Sequence, residues 1–180
     1  MPRPVVRRAS AFPDDGRSPL SHPSAPLPIQ YAGVEAYTSA DVQDYLDRQR
    51  RILRVVGTWS AATLRSYGVS VHDPEGGFYI YPDFGPHRAS LQEHGITSGM
   101  ELTMRLLHEA GVALLPGAAF GAPEAHLTAR LAFVDFDGET LLQVAGDSSV
   151  SDEDLLSHTA LKDMRDGIEA IGAWLKQLQA

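Results

Sequence analysis

From Ser39 onward apolar residues return at helical spacing, as Val42, Tyr45, Leu46, Ile52, Leu53, Val56, Trp59 and Leu64. The pattern predicts one long amphipathic helix, capped by Ser39 and ended by Gly68. Val69 to Val71 then starts an extended segment that turns at Asp73-Pro74, and the aromatic run from Gly77 to Tyr81 predicts a strand. Residues 83–99 read as loop with a short helical turn around Leu91. Leu102, Met104, Leu106 and Leu107 place a helix over Glu101 to Glu109, stopped at Gly111. Val112 to Leu115 is a short apolar run closed by Pro116-Gly117, the pattern of a buried strand stopped by a turn. From Leu127 to Phe136 apolar and polar or small residues roughly alternate, so Leu127, Ala129, Leu131 and Phe133 share one face of a strand while Arg130 points to the other. A short helix from Glu139 to Val144 follows. The last helix, about Asp152 to Leu178, carries Leu161, Met164, Ile168, Ile171, Leu175 and Leu178 as a stripe flanked by Trp174. Strand, helix and strand in this order predict an α/β or α+β layer, a short mixed sheet covered by long helices.

Two features of the pattern carry chemistry. A guanidinium mid-strand among apolar neighbours is costly to bury unless an anion meets it. Arg130 therefore implies an internal carboxylate or a ligand carboxylate, or it sits on an edge strand and reaches solvent. Phe78 and Tyr79, as aromatics in a strand, are expected to face the core. Arg48, Arg50, Arg51 and Arg54 lie mostly off or beside the apolar stripe, near Asp41, Asp44 and Asp47, and read as a solvated helix face with local ion pairs rather than a phosphate site.

Composition narrows the picture further. Seven of the twelve prolines fall in residues 1–28, which predicts a disordered or loosely docked arm. The basic start, MPRPVVRR, has no long apolar run after it and is not expected to act as a signal peptide. No apolar stretch approaches the length of a membrane span. With 15 basic and 23 acidic residues the net charge is -8, which argues against nucleic-acid and membrane partners and for an ordinary soluble, cytoplasmic protein. Absence of cysteine excludes disulfides and thiolate chemistry. His87, His94, His108 and His126 lack ligand spacing for a metal, and Asp135-Phe136-Asp137-Gly138 reads as a tight turn rather than a calcium loop.

Three segments, in order, carry a family resemblance. Pro28-Ile29-Gln30-Tyr31-Ala32, then Gly76-Gly77-Phe78-Tyr79 within Pro74 to Phe84, and then Leu115-Pro116-Gly117, Phe120-Gly121 and Ala129-Arg130-Leu131-Ala132-Phe133 resemble the class I/II aminotransferases. These are pyridoxal-phosphate enzymes of fold type I, the aspartate aminotransferase fold, and the likeness runs over about residues 21–178. It implies that residues 69–180 form the C-terminal small domain and that residues 29–68 are a remnant of the large domain with the long interdomain helix.

By this resemblance the complete enzyme moves an amino group between an L-amino acid and a 2-oxo acid, with Arg130 holding the α-carboxylate and Phe78 a further substrate contact. Pyridoxal phosphate belongs to that complete enzyme. The two lysines of this chain, Lys162 and Lys176, each follow a stripe leucine of the last helix and fall on a solvated face. Neither suits a Schiff base, so no covalently bound cofactor is expected on this chain alone. The expectation is a truncated or split C-terminal part, inactive alone, with a separate lysine-bearing large-domain polypeptide as partner. The alternative is a non-catalytic α/β binding or interaction module that keeps the small-domain fold.

Overall fold

The structure, a computed structural model, describes residues 25–179. Most of the expected arm, residues 1–24, lies outside the described residues. The chain divides into two units that meet within a helix, at Val42 and Gln43. In the first unit α1 (Leu27–Thr38) takes in Leu27 and Pro28, which the sequence pattern assigns to the arm, and buries none of its residues. Proline is tolerated in a first turn because its missing N–H would have no intrahelical acceptor there.

The second unit begins in α2 (Ala40–Ser66), which buries Ile52, Val55, Val56, Gly57, Ser60, Ala61 and Leu64. Tyr45, expected on the apolar stripe, is exposed. There follow β1 (Tyr79–Ile80), α3 (Arg88–Glu93) and α4 (Gly99–Arg105). The order continues with β2 (Leu115–Pro116), β3 (Ala129–Ala132), α5 (Gly138–Ala145), α6 (Asp152–Ser157) and α7 (Lys162–Gln177). β3 is the middle strand of a three-stranded sheet in the order β1-β3-β2. Both pairings are antiparallel, where a mixed sheet is expected from the element order. The strands are also shorter than their sequence patterns. Backbone pairing itself runs on, from Phe133 N–H to Phe78 O, from Ala129 N–H to Pro82 O and from Phe84 N–H to Leu127 O. Pro82 and Pro116 bring no N–H to the ladder, which cuts both flanking strands short.

The helix expected over Glu101 to Glu109 starts two residues earlier. Ser98 caps it, and Ser98 and Glu101 form a reciprocal capping box. Its last turn widens into a π-turn over Leu106–Ala110, closed by Gly111 at φ 71°. The single last helix expected from the stripe is instead two helices. His158 is extended, its Nδ1 accepts from the Ala160 N–H at 3.1 Å, and Arg165 donates to the carbonyls of Leu156 and His158. Those diverted groups end α6 and restart the chain as a short 3-10 turn before α7.

The core is one cluster on one side of the sheet. Ile80, Ala129, Leu131 and Phe133 meet Val55, Val56 and Leu64 of α2, Leu102 and Leu106 of the α4 segment, and Ile168, Ile171 and Leu175 of α7. Phe84 and Phe133 are its largest fully buried side chains. At the tightest point α2 has no side chain, since a Cβ on Gly57 would lie 2.7 Å from Pro74 Cγ and 2.8 Å from Phe133 Cζ. In α7 a Cβ on Gly167 would meet nothing within 4 Å.

These two glycines give opposite expectations for one substitution. Alanine gains up to about 1 kcal/mol over glycine in a helix interior. Overpacking a tight core costs about 1–3 kcal/mol. Gly57→Ala is therefore expected to lower the thermal midpoint and Gly167→Ala to raise it slightly; thermal unfolding of both variants checks this, and a stabilised Gly57→Ala would refute the packing described.

Candidate functional site

The sheet has one covered and one open face. Residues opposite one another on antiparallel strands share a face, so Tyr79 with Ala132, and Leu115 with Arg130, put Tyr79, Ala132, Arg130 and Leu115 together on the open side. The predicted alternation holds, with Ala129, Leu131 and Phe133 buried and Arg130 half-buried between them. Arg130 does not belong to an edge strand, because β3 is the middle of three.

What meets Arg130 is aromatic. Its Cζ stands 4.3 Å from the centroid of the Tyr79 ring and 4.3 Å from that of Phe120. Tyr79 comes from β1 and Phe120 from the 3-10 turn Gly117–Phe120 after β2, so the rings reach the guanidinium from the strands on either side. Phe78 joins the row through Tyr79, with ring centroids 4.2 Å apart and a 45° tilt. Phe78 is 41% exposed, Tyr79 40% and Phe120 47%, so the core placement of the strand aromatics is not what forms. Among the described residues no carboxylate pairs with Arg130 and none of its N–H groups finds an acceptor. Cation–π contacts favour a guanidinium over the ring faces and leave the donors at its edge unanswered. Such an edge matches a carboxylate in two parallel hydrogen bonds.

Arg130 and Phe78 are the sequence-derived candidates; the fold puts Arg130 on the open face, whereas Phe78 touches that row only through the Tyr79 ring and lines a groove with Ile52, Leu53 and Phe136. Phe120 enters the sequence reading only within the Phe120-Gly121 segment of the resemblance, with no role of its own. Its signal was a large aromatic in a Gly/Ala loop with no apolar periodicity to claim it for the core.

The α2 arginines resolve differently. Arg50 pairs locally with Asp47 at 2.8 Å, as expected. Arg51 and Arg54 instead reach across the chain to Asp152, at 2.8 and 3.2 Å. Arg51 also donates to the carbonyls of Ala145 and Val150, tying α2 to the segment between α5 and α6. A basin of about 450 Å³ lies beside them, lined by Asp47, Arg50, Arg51, Arg54 and Pro74 to Gly77. Its three arginines already have acidic partners.

The described residues do not fit pyridoxal phosphate. Lys162 is exposed and paired with Asp166, whose hydrogen bond and charge push the amine's pKa up, away from a nucleophilic form. Lys176 is exposed with its Nζ 4.8 Å from the Tyr67 ring centroid. Asp137 uses its carboxylate to cap α5 through the Thr140 N–H, at 3.1 Å. Among the described residues no group of three histidine, aspartate or glutamate side chains is placed to hold a metal ion. No helix among them is long and apolar enough to cross a membrane.

No family model matches the chain. Over 95 residues it is 34% identical to a probable aspartate/prephenate aminotransferase of Aquifex aeolicus, a span covering 52% of this chain and 23% of that protein. It is 36% identical over 96 residues to an asparagine–oxo-acid transaminase of Streptococcus mutans, covering 53% of this chain and 23% of the relative. The likeness falls on the C-terminal half of the chain. The chain thus spans about a quarter of the length of these curated relatives. In fold it is similar to an aromatic aminotransferase from Pyrococcus horikoshii, with a TM-score of 0.59 and 21% identity over 84% of this chain and 32% of that one.

The long-range ion pairs give a pH prediction. The hydrogen bond from Arg51, then that from Arg54, hold the Asp152 carboxyl below its ordinary pKa against partial burial. The Trp174 N–H, 2.7 Å from Glu109, and then Arg105 do the same for Glu109. A carboxyl with a depressed folded pKa stabilises the fold above its unfolded pKa, about 4, and loses that contribution as pH falls through the folded value. The thermal midpoint is expected to fall below about pH 4, and the gap between wild type and Asp152→Ala to narrow over the same range. Circular dichroism melts from pH 7 to 3 measure this; a gap independent of pH would count against it.

Proposed function

We infer that this chain, whose C-terminal half has the sequence and fold of a class I/II aminotransferase small domain, holds the α-carboxylate of an amino acid or 2-oxo acid on Arg130. The reaction served is amino-group transfer between an L-amino acid and a 2-oxo acid in a pyridoxal-phosphate enzyme. The observation that carries this reading is the guanidinium on the central strand, its Cζ over two aromatic rings and, among the described residues, no internal anion to meet it. A substrate carboxylate supplies that anion in two charge-assisted hydrogen bonds, which fixes the direction in which the α-carbon leaves the arginine.

The remaining chemistry lies outside these residues. Lys162 and Lys176 are engaged elsewhere on α7, so a lysine-bearing large domain has to provide the amine and the cofactor site, and residues 1–180 alone are inactive. The apolar surface supports such a partner: Met100, Met104 and Leu107 form an exposed stripe along the α4 segment, and Leu115 and Phe120 are exposed on neighbouring elements.

Titrating the full chain with pyridoxal phosphate, followed by visible absorbance and intact mass, tests the division of labour. No stoichiometric uptake is expected, and stoichiometric attachment to Lys162 or Lys176 would overturn it. Glutamate binding, followed by calorimetry, is expected to weaken roughly tenfold to a hundredfold in Arg130→Ala, the loss of one charge-assisted pair. Binding unchanged by that substitution would remove Arg130 from the site.

A further inference from the structure

We propose that Tyr79 and Phe120 are positioning residues, which hold the Arg130 guanidinium in place before a carboxylate meets its edge. The proposal rests on the reading of Arg130 as a carboxylate site and adds what sets that arginine in position.

Six contacts build the geometry. The two ring centroids are equidistant from Arg130 Cζ, at 4.3 Å each. Tyr79 is set by its register opposite Ala132, one step along the same face from Arg130, and Phe78 backs it at 4.2 Å. Phe120 is set by the turn that Gly117 opens. The Gly117 N–H donates to Thr128 O at 2.8 Å, and the turn lies so close to β3 that a Cβ on Gly117 would collide with Thr128 Oγ1 and Tyr81 Oη. The Ala122 N–H returns to Gly117 O at 3.2 Å and closes the turn behind Phe120. Both rings therefore stand on backbone that the sheet has already fixed.

An unrestrained arginine samples many rotamers, and binding has to select one. Two rings held in place make that selection before the ligand arrives, which is how preorganisation raises affinity without a new ligand contact. A carboxylate can then accept two hydrogen bonds while lying in the guanidinium plane.

The test uses the full chain labelled with nitrogen-15, with pyruvate as the probe. Tyr79→Leu and Phe120→Leu remove a ring face; Tyr79→Phe and Phe120→Tyr keep one. Each leucine variant is expected to weaken pyruvate binding roughly two- to fivefold, the size of one exposed cation–π contact. The ring-retaining variants are expected to restore it. The Arg130 Nε–H resonance is expected to carry a ring-current shift that each leucine variant reduces. Binding that needs Arg130 but is the same in the leucine variants would overturn the proposal and leave the carboxylate site standing. Binding indifferent to Arg130→Ala would remove the carboxylate site itself, and an Arg130 resonance unmoved by both leucine variants would then also overturn the positioning.

Discussion

The middle strand of the sheet decides what every other element does. β3 has neighbours on both sides, so its backbone is committed to the ladder and its side chains can only alternate between two faces. One face takes Ala129, Leu131 and Phe133 into the core that α2, the α4 segment and α7 close. The other face then has to take Arg130. Nothing local lets that guanidinium turn inward, since shifting the register by one residue would exchange the whole buried set for the exposed one. The cation is in the open because the core residues beside it are not.

From that constraint the aromatic row follows. A cation in the middle of an open face has strands on both sides from which side chains can reach it, and here those strands bring Tyr79 and the turn carrying Phe120. Had a carboxylate stood in either place, the arginine would be a structural ion pair with little left to offer a ligand. Aromatic faces attract the cation but accept no hydrogen bond from its edge, so its recognition capacity remains.

The alternation around Arg130 and the stripe of the last helix were legible because each is set by periodicity against one core. Tertiary events were not. Nothing local to Arg51 announces Asp152, about a hundred residues away, as its partner; the nearer acids of α2 made a local pair the natural expectation. The break at His158 has no proline or glycine to mark it and depends on Arg165 drawing carbonyls out of the helix. The short strands, by contrast, were written in Pro82 and Pro116, and Ser98 with Glu101 spelled a capping box that the helix boundary passed over. For the candidate site, Arg130 came from sequence and family pattern, whereas its aromatic neighbours came from where β1 and the turn after β2 place their rings.

An open arginine is also a weak one. Half-buried but still in contact with water, the guanidinium meets an anion through a high effective dielectric, where a charge pair is worth a small fraction of its value in a dry site. Two rings restrict its motion but cannot exclude water from its edge. The same face is bordered by exposed Leu115 and Phe120, with Met100, Met104 and Leu107 along the α4 segment, a surface that favours being covered. A body laid over it would remove apolar area from water and, in the same movement, lower the dielectric around the arginine. Covering and carboxylate binding then strengthen one another, because each is more favourable once the other has displaced the solvent. On the proposed reading of Arg130, its affinity for a carboxylate in the uncovered face is a lower bound on what it would provide once covered, and the difference would measure the dry surface that a covering body contributes.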